Sequence, residues 1–539
     1  MTPLHSIASR SRIWRLLIVT VLILGVAIGG RAERSRSADH GNELRLAGPV
    51  QGPETLDPAQ MRDLSTVTLL RQIYRGLIYY DDNLNPIPEL AQSYDVSADG
   101  LTYSFVLREG ATFQDGSPIT ADDVAFSLSR AVNPATVEGN ASLLAGPTFL
   151  SDIAGFADVM NGQASMLSGI HVKSESELSI SLTAPSATFL TRLAAVPAAI
   201  VSRAQVESDS TWWARPIGSG PYKVDKWDPG NEITLTSYDD FVLGKPRIKD
   251  INVRLGSRSI QSFNLYQADQ IDVDSVSLYD VDRVADPNGD FTDQLVRTPQ
   301  FAFGYIALRT DIAPLDDPKI REALQLAFPR ANMASITFNG QVDPAYGLIP
   351  DGMLGQDWKH ILPDMDIEAA KAAIRESTYG SADKVPPIRL YTSGALASEV
   401  LRDVAQKELG LTIEVLDLEW YDFLNRLDSK QVPAFEIYWA ADYPDPEAIL
   451  RPLWETGWPG NYTEYSNLKV DELLTQAAGE TDPDARATLY ARAEQLILAD
   501  NVVIPAYMDV QYTVIKPYVH NLTVTPIGIL RLEVATIDQ

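Results

Sequence analysis

No low-complexity stretch and no internal repeat interrupts this chain from Asn42 to Gln539. At 539 residues it exceeds what one hydrophobic core supports, so two or three domains are expected. Yet nothing in it reads as a loose tether between independent parts. Several domains without tethers imply a chain that crosses between lobes. Apolar residues at 45% and charged residues at 22% are enough to build the cores this demands.

The first 36 residues obey other rules. Arg10, Arg12, Arg15, Arg31, Arg34 and Arg36 stand against one acid, Glu33, a net of +5. That leaves −33 for the remainder of a chain whose total is −28. Such an acidic body repels phosphate and argues against nucleic acid as a partner. Between Arg15 and Arg31 runs "LLIVTVLILGVAIGG", fifteen uncharged residues. A basic start followed by a short apolar run reads as a secretory signal, with small residues at Ala27 and Gly29, or at Gly30 and Ala32, for the peptidase. The alternative is an uncleaved N-terminal anchor, although a stable span wants about 20 apolar residues. Either way residues 1–36 export the rest to the periplasm or the outer face of a bacterial membrane. The absence of cysteine removes disulfides and the acylated residue of a lipoprotein, so stability must come from core burial.

Periodicity places the main elements. "LTYSFVLREG" alternates Leu101, Tyr103, Phe105 and Leu107 as a half-buried strand. "TADDVAFSLSRAV" follows, with Thr120 and Asp123 spaced as a capping box. "NEITLTSYDD" and "IKDINVRLG" read as strands. "DDPKIREALQLAF" is a helix with Ile320, Ala323, Leu324 and Ala327 on one face. "ASEVLRDVAQKELG" is a helix ending at Gly410 that feeds the strand "LTIEVLDL". A last helix, "DARATLYARAEQLILADN", precedes the apolar strand "VVIPAYM". The alternation is that of an α/β protein.

Signatures of catalysis are sparse. The five histidines, His5, His40, His171, His360 and His520, form no paired spacing for zinc. No GxSxG, GxGxxG or GxxxxGK[ST] occurs. "DPNGD", Asp286 to Asp290, hints at a calcium loop but lacks its closing glutamate and reads as a turn. No metal, cofactor or catalytic residue is expected, although acids brought together from distant positions leave a hydrolase open.

Taken in order, "ETLDP", the run from Tyr74 to Arg130, "PIGSGPYKV", "DDPKIREALQLAFPR" and "YWAADYPDPEAIL" resemble the family-5 solute-binding proteins of ABC importers, the oligopeptide-, dipeptide- and nickel-binding group. The resemblance covers nearly all of 42–539. It implies a bilobed periplasmic-binding-protein-like fold of two α/β lobes joined by a hinge, with an extra inserted domain. Lobe 1 is then expected at 42–58, 171–304 and 508–539, the insert at 59–170 and lobe 2 at 305–507. "TPQFAFGYIALR" and "NVVIPAYMDV" would carry the crossovers. Partners would be a peptide or other small solute and separate permease and ATPase subunits; the chain itself is expected to be monomeric. Two positions depart from the pattern: Arg309 replaces an asparagine, and Pro329 replaces the acid before Arg330.

The resemblance also implies a site. Asp442 matches an aspartate that accepts a peptide's α-ammonium, Trp439 and Trp420 match pocket-lining tryptophans, and Tyr443 adjoins them. Read from the residues alone, Asp442 is equally an Asx-turn acid before a proline-rich bend, and the tryptophans are core. Glu436 stands where some oligopeptide receptors carry an arginine; facing the cleft, it would repel a ligand carboxylate. Asp445, before Pro446 and Glu447, reads as a helix cap. Ser219 and Gly220 read as a backbone turn. The expected function is an exported, non-enzymatic peptide-binding subunit. Alternatives are the same fold binding an oligosaccharide, an opine-like compound or a metal chelate, with Trp212, Trp213, Trp454 and Trp458 available to stack on sugars, or a membrane-tethered sensor.

Overall fold

The computed structural model describes residues 42–48, 52–61, 64–256, 259–286, 288–355, 358, 361–394 and 396–538. The segment read as signal or anchor lies outside them. Among the described residues no helix is long and apolar enough to cross a membrane.

β1 (Glu43–Ala47) opens a large sheet, and the chain then leaves it. β2 (Ala91–Val96), β3 (Thr102–Leu107), β4 (Ile170–Val172) and β5 (Glu177–Ser181) form a separate antiparallel sheet in the order β2-β3-β5-β4. The alternation read in β3 holds: Tyr103, Phe105 and Leu107 are buried, and the residues between them are not. This small sheet is the inserted domain's own. β5 pairs with both β3 and β4, so this sheet runs across residue 170 and closes after Ser181.

The chain re-enters the large sheet with the meander β6 (Tyr222–Asp228), β7 (Glu232–Ser237) and β8 (Asp250–Arg254), then β9 (Val273–Ser275) and the long β10 (Leu295–Leu308). β11 (Ile388–Thr392), β12 (Ile413–Asp417), β13 (Ala434–Ala440) and β14 (Val503–Ile515) complete it. Among the described residues the sheet has eleven strands, running β12-β11-β13-β10-β14-β9-β1-β8-β7-β6, with the two-residue Asp343–Pro344 strand pairing with β14 off this path. Parallel pairs (β11 with β12 and β13, β1 with β9) mix with antiparallel ones.

Two strands hold the halves together. β10 and β14 pair from Leu295↔Val514 to Ala307↔Val503. The far half of β10 also pairs with β13, and the end of β14 with β9, so each strand is shared between the two groups. Their register breaks between Pro299 and Phe303 and again between Gly304 and Tyr305, the irregularity that bends a strand pair. Gly304 is required there: a Cβ on it would fall 2.3 Å from the Tyr507 ring.

Helices follow the sequence closely. α1 (Leu64–Ile73) buries Leu69, Leu70 and Ile73 with Leu44, Leu235 and Ile251. It therefore packs on β1, β7 and β8 of the large sheet. α2 (Ala121–Ala131) begins in the capping box read from Thr120 and Asp123. After α3 (Ser259–Gln267), α4 (Pro318–Ala327) is capped by Asp317 and buries the four residues of its expected face. α5 (Ala397–Val404) continues into a wider turn that stops at Gly410, whose φ of 74° is the left-handed end. α6 (Trp420–Asp428), α7 (Glu447–Trp454) and α8 (Pro483–Ala499) complete the helices that matter below.

The departures have structural consequences. Arg309 is buried and clamps Asp311 with two bonds of 2.7 Å while donating to the Lys430 carbonyl. With proline at 329, buried Arg330 keeps Nε and Nη2 without a partner among the described residues, and burial lowers its pKa to about 10. At the segment read as a turn, the Asp286 side chain accepts from the Asn288 N–H, and its carbonyl from the Gly289 N–H.

Candidate functional site

β13 delivers its last residues to the middle of the sheet. Ala440 pairs with Ala302, Ala441 donates to the Phe301 carbonyl at 2.8 Å, and the chain then leaves the strand. Asp442 lies just past the strand end. Leaving the ladder there lets it turn into a cavity walled by Met61, Val67 and Arg71 around α1, Tyr80 and Phe149 of the inserted segment, Pro197, and Ile529 near the C-terminus. Four stretches far apart in sequence thus meet around one acid.

Asp442 makes no hydrogen bond or ion pair with any described residue. More than a third of its surface still reaches solvent, but crowding by apolar neighbours strips its hydration and pushes its pKa up to about 6. The open surface makes the cost smaller than for a sealed acid. Such a carboxylate gains from any cation brought to it, since desolvated charge-assisted hydrogen bonds are the strong ones. The cavity holds about 30 Å³, room for a water or two. A larger group enters only if the walls part.

Arg71 was not foreseen. It is buried, donates to the Ala194 carbonyl at 3.0 Å and packs against the rings of Tyr79 and Tyr80, while its Nε has no partner among the described residues. A guanidinium in this wall sets a cation on the same cavity as Asp442. A signal existed: Arg71 is the one charged residue in the apolar helix "LSTVTLLRQI".

The other residues singled out take different places. Trp439 is half-buried and donates its indole N–H to the Ala448 carbonyl at 2.9 Å, locking β13 to α7. Trp420 opens α6 at 48% exposure, beside exposed Tyr421 and against Phe423. Tyr443 is buried, edge-on to Phe149, with its hydroxyl 3.4 Å from Glu447. Neither tryptophan nor Tyr443 lines the Asp442 cavity. Glu436 does not face it either. Buried at the α5 N-terminus, it accepts from the Ala397 and Ser398 N–H groups at 2.9 and 2.6 Å and from the Ser398 hydroxyl. Burial raises its pKa, and those donors oppose the rise. Its work is to cap a helix, so the repulsion expected of a cleft-facing Glu436 does not arise.

Asp445 is the architectural acid of the pair. Its Oδ1 accepts from the Glu447 N–H at 2.9 Å, and Oδ2 pairs with buried Arg486 of α8 at 2.7 Å. Ser219 pins three backbone groups, the Arg75 N–H and the carbonyls of Arg75 and Ile200, which makes "GSG" a packing turn. Of the sugar-stacking candidates, Trp212 and Trp454 are core, Trp213 packs on Trp227 and Trp458 on Arg451; none lines the cavity.

Comparison with known proteins agrees with this architecture. Residues 85–461 match the family model described as bacterial extracellular solute-binding proteins, family 5 middle. The periplasmic oligopeptide-binding protein OppA of Escherichia coli K12 is 25% identical over 488 residues, 87% of this chain and 88% of that protein. The glutathione-binding protein GsiB of the same organism is 26% identical over 471 residues, 84% and 87%. The solved clavulanic acid biosynthesis oligopeptide binding protein 2 superposes with a TM-score of 0.83 at 21% identity, covering 92% of this chain and 95% of its own. A mixed α/β sheet shared by two hinged lobes is the fold these structures have in common, and the chain belongs to the family-5 bacterial extracellular solute-binding proteins.

Proposed function

We propose that the protein is the extracytoplasmic binding subunit of an ABC importer for short peptides, which it carries unchanged to a permease served by a separate ATPase. The observation that carries this reading is Asp442: a partly desolvated carboxylate without a protein partner among the described residues, in an apolar cavity assembled from distant segments. A peptide's α-ammonium supplies the missing charge, and Arg71 in the same wall suits an oxygen of the ligand. The names of OppA and GsiB, both peptide binders, support the same class.

In this reading lobe 1 comprises β1, β6–β9 and the C-terminal segment together with α1, the insert ends after Ser181, and lobe 2 lies between β10 and β14. Ligand contacts from both sides favour the closed state and so shift the population toward it. Trp420 and Tyr421, exposed on α6, offer flat surface for side chains of varied chemistry. The protein is exported, acts as a monomer and performs no chemistry on its cargo. Titration calorimetry against di- to octapeptides tests the assignment, with native mass spectrometry of the purified protein to identify carried ligand. Saturable binding of peptides with a free N-terminus is expected; silence across the set rejects the peptide reading.

A further inference from the structure

A second, larger cavity of about 310 Å³ lies on the other side of the wall that bounds the Asp442 site. Two elements form that wall, and their residues divide between the cavities. Val67 and Arg71 of α1 face Asp442, whereas Thr68, Leu69 and Gln72 face the second space. Ile527 and Ile529 face the first, Gly528 and Leu530 the second. The second cavity thus lies between α1, the C-terminal segment and the sheet strands β1, β7, β8, β9 and β14. Its volume reaches the lower end of the range for small-molecule sites, about 300 Å³.

Its lining is aliphatic, with Leu69, Leu235, Ile251, Val253 and Val273 prominent, and two buried acceptors interrupt it. Asp274 of β9 is 4% exposed. The Ser262 hydroxyl and the Ser275 N–H hydrogen-bond its carboxylate, but Oδ2 has no partner among the described residues. Gln72 is fully buried; its amide nitrogen donates weakly to the Thr68 carbonyl at 3.4 Å, and its Oε1 likewise has no partner. Unsatisfied buried acceptors are rare and destabilising, and these two belong to residues that line one cavity.

We propose that this cavity is a binding site for a small aliphatic amine, whose ammonium donates to Asp274 and whose hydrocarbon body lies along the aliphatic walls. The lining contains one acid and no lysine, arginine or histidine, which selects a cation over an anion. A metal ion is disfavoured, since no group of three or more metal-binding side chains occurs among the described residues. Desolvation holds the Asp274 carboxyl up to about 7, the state of an acid lacking its counter-charge.

Calorimetry with isopentylamine, and with isopentanol as the uncharged match, tests the site on the purified protein. One amine is expected to bind per chain, roughly tenfold or more tighter than the alcohol, the scale of a charge-assisted hydrogen bond. Asp274→Asn should abolish that difference while leaving peptide affinity and the circular dichroism spectrum unchanged. No amine binding, equal affinity for the two probes, or amine preference retained in the variant overturns the proposal. Crystals of the unaltered protein soaked in 3-bromopropylamine provide a test independent of the variant. An anomalous bromine peak inside the cavity supports the assignment; ordered water alone there, or bromine only beside Asp442, refutes it.

Discussion

Replacing Asp442 by asparagine keeps the side chain's shape and removes its charge. In the liganded protein the carboxylate faces an ammonium, and a net charge-assisted hydrogen bond contributes roughly 1.5–3 kcal/mol. Removing one member of a fully buried pair costs about 3–5 kcal/mol. Asp442 keeps solvent contact, so the lower range applies: a loss of about 2 kcal/mol, roughly thirtyfold in Kd. The unliganded protein should respond in the opposite sense. The folded pKa of about 6 lies above the unfolded value, so the folded state holds its proton longer, and stability falls as pH rises from about 4 to about 6. The Asp442→Asn variant escapes this penalty and should gain stability at neutral pH, by about 1 kcal/mol once solvent screening is allowed for. Peptide affinity carries the same group with reversed sign. Below about pH 6 the free protein protonates Asp442 and must release that proton to bind an ammonium, so the wild-type Kd weakens as pH falls, whereas the variant's stays flat. Calorimetry at pH 7.5 and pH 5 on both proteins measures the affinities, and urea unfolding at the same two pH values measures the stabilities. A change of less than about threefold at pH 7.5, or a wild-type pH profile matching the variant's, refutes the ammonium role.

Glu436→Gln removes a charge that three donors from α5 share, and should cost about 1–3 kcal/mol in urea unfolding with peptide Kd unchanged; a tenfold change in affinity would instead put Glu436 in the site. Arg486→Ala strands Asp445, which is buried with a pKa already raised to about 6, and should cost about 3–5 kcal/mol at pH 7.5. That deficit should shrink by pH 5, as the abandoned carboxyl takes up a proton. Gly304→Val forces a side chain against Tyr507 at the register break, and should destabilise by about 1–3 kcal/mol while altering the lobe closure seen by small-angle scattering with peptide.

Much of the scaffold was legible because local patterns and tertiary demands agreed. The face of α4, the Thr120–Asp123 box, the Gly410 stop and the alternation of β3 each follow from short-range chemistry that packing then reinforces. Long-range packing was less legible. β5 closes the small sheet against β3 and α1 packs on Leu44, Leu235 and Ile251, and which distant surface a segment covers is encoded by nothing local.

The site shows the same limit at the scale of single side chains. Asp442, Asp445 and Glu436 lie within ten residues of one another, and no pattern in the sequence ranks them. What separates them is supplied from elsewhere: Arg486 of α8 neutralises Asp445, the N-terminus of α5 satisfies Glu436, and no described group does either for Asp442. An acid is committed to architecture when the fold brings it a donor and remains available for a ligand when the fold withholds one. The same reasoning extends to Asp274, which lines a cavity beneath α1 and whose Oδ2 has no donor among the described residues. The partners each acid finds after folding, more than residue type before it, therefore identify the positions where this protein can meet a cation.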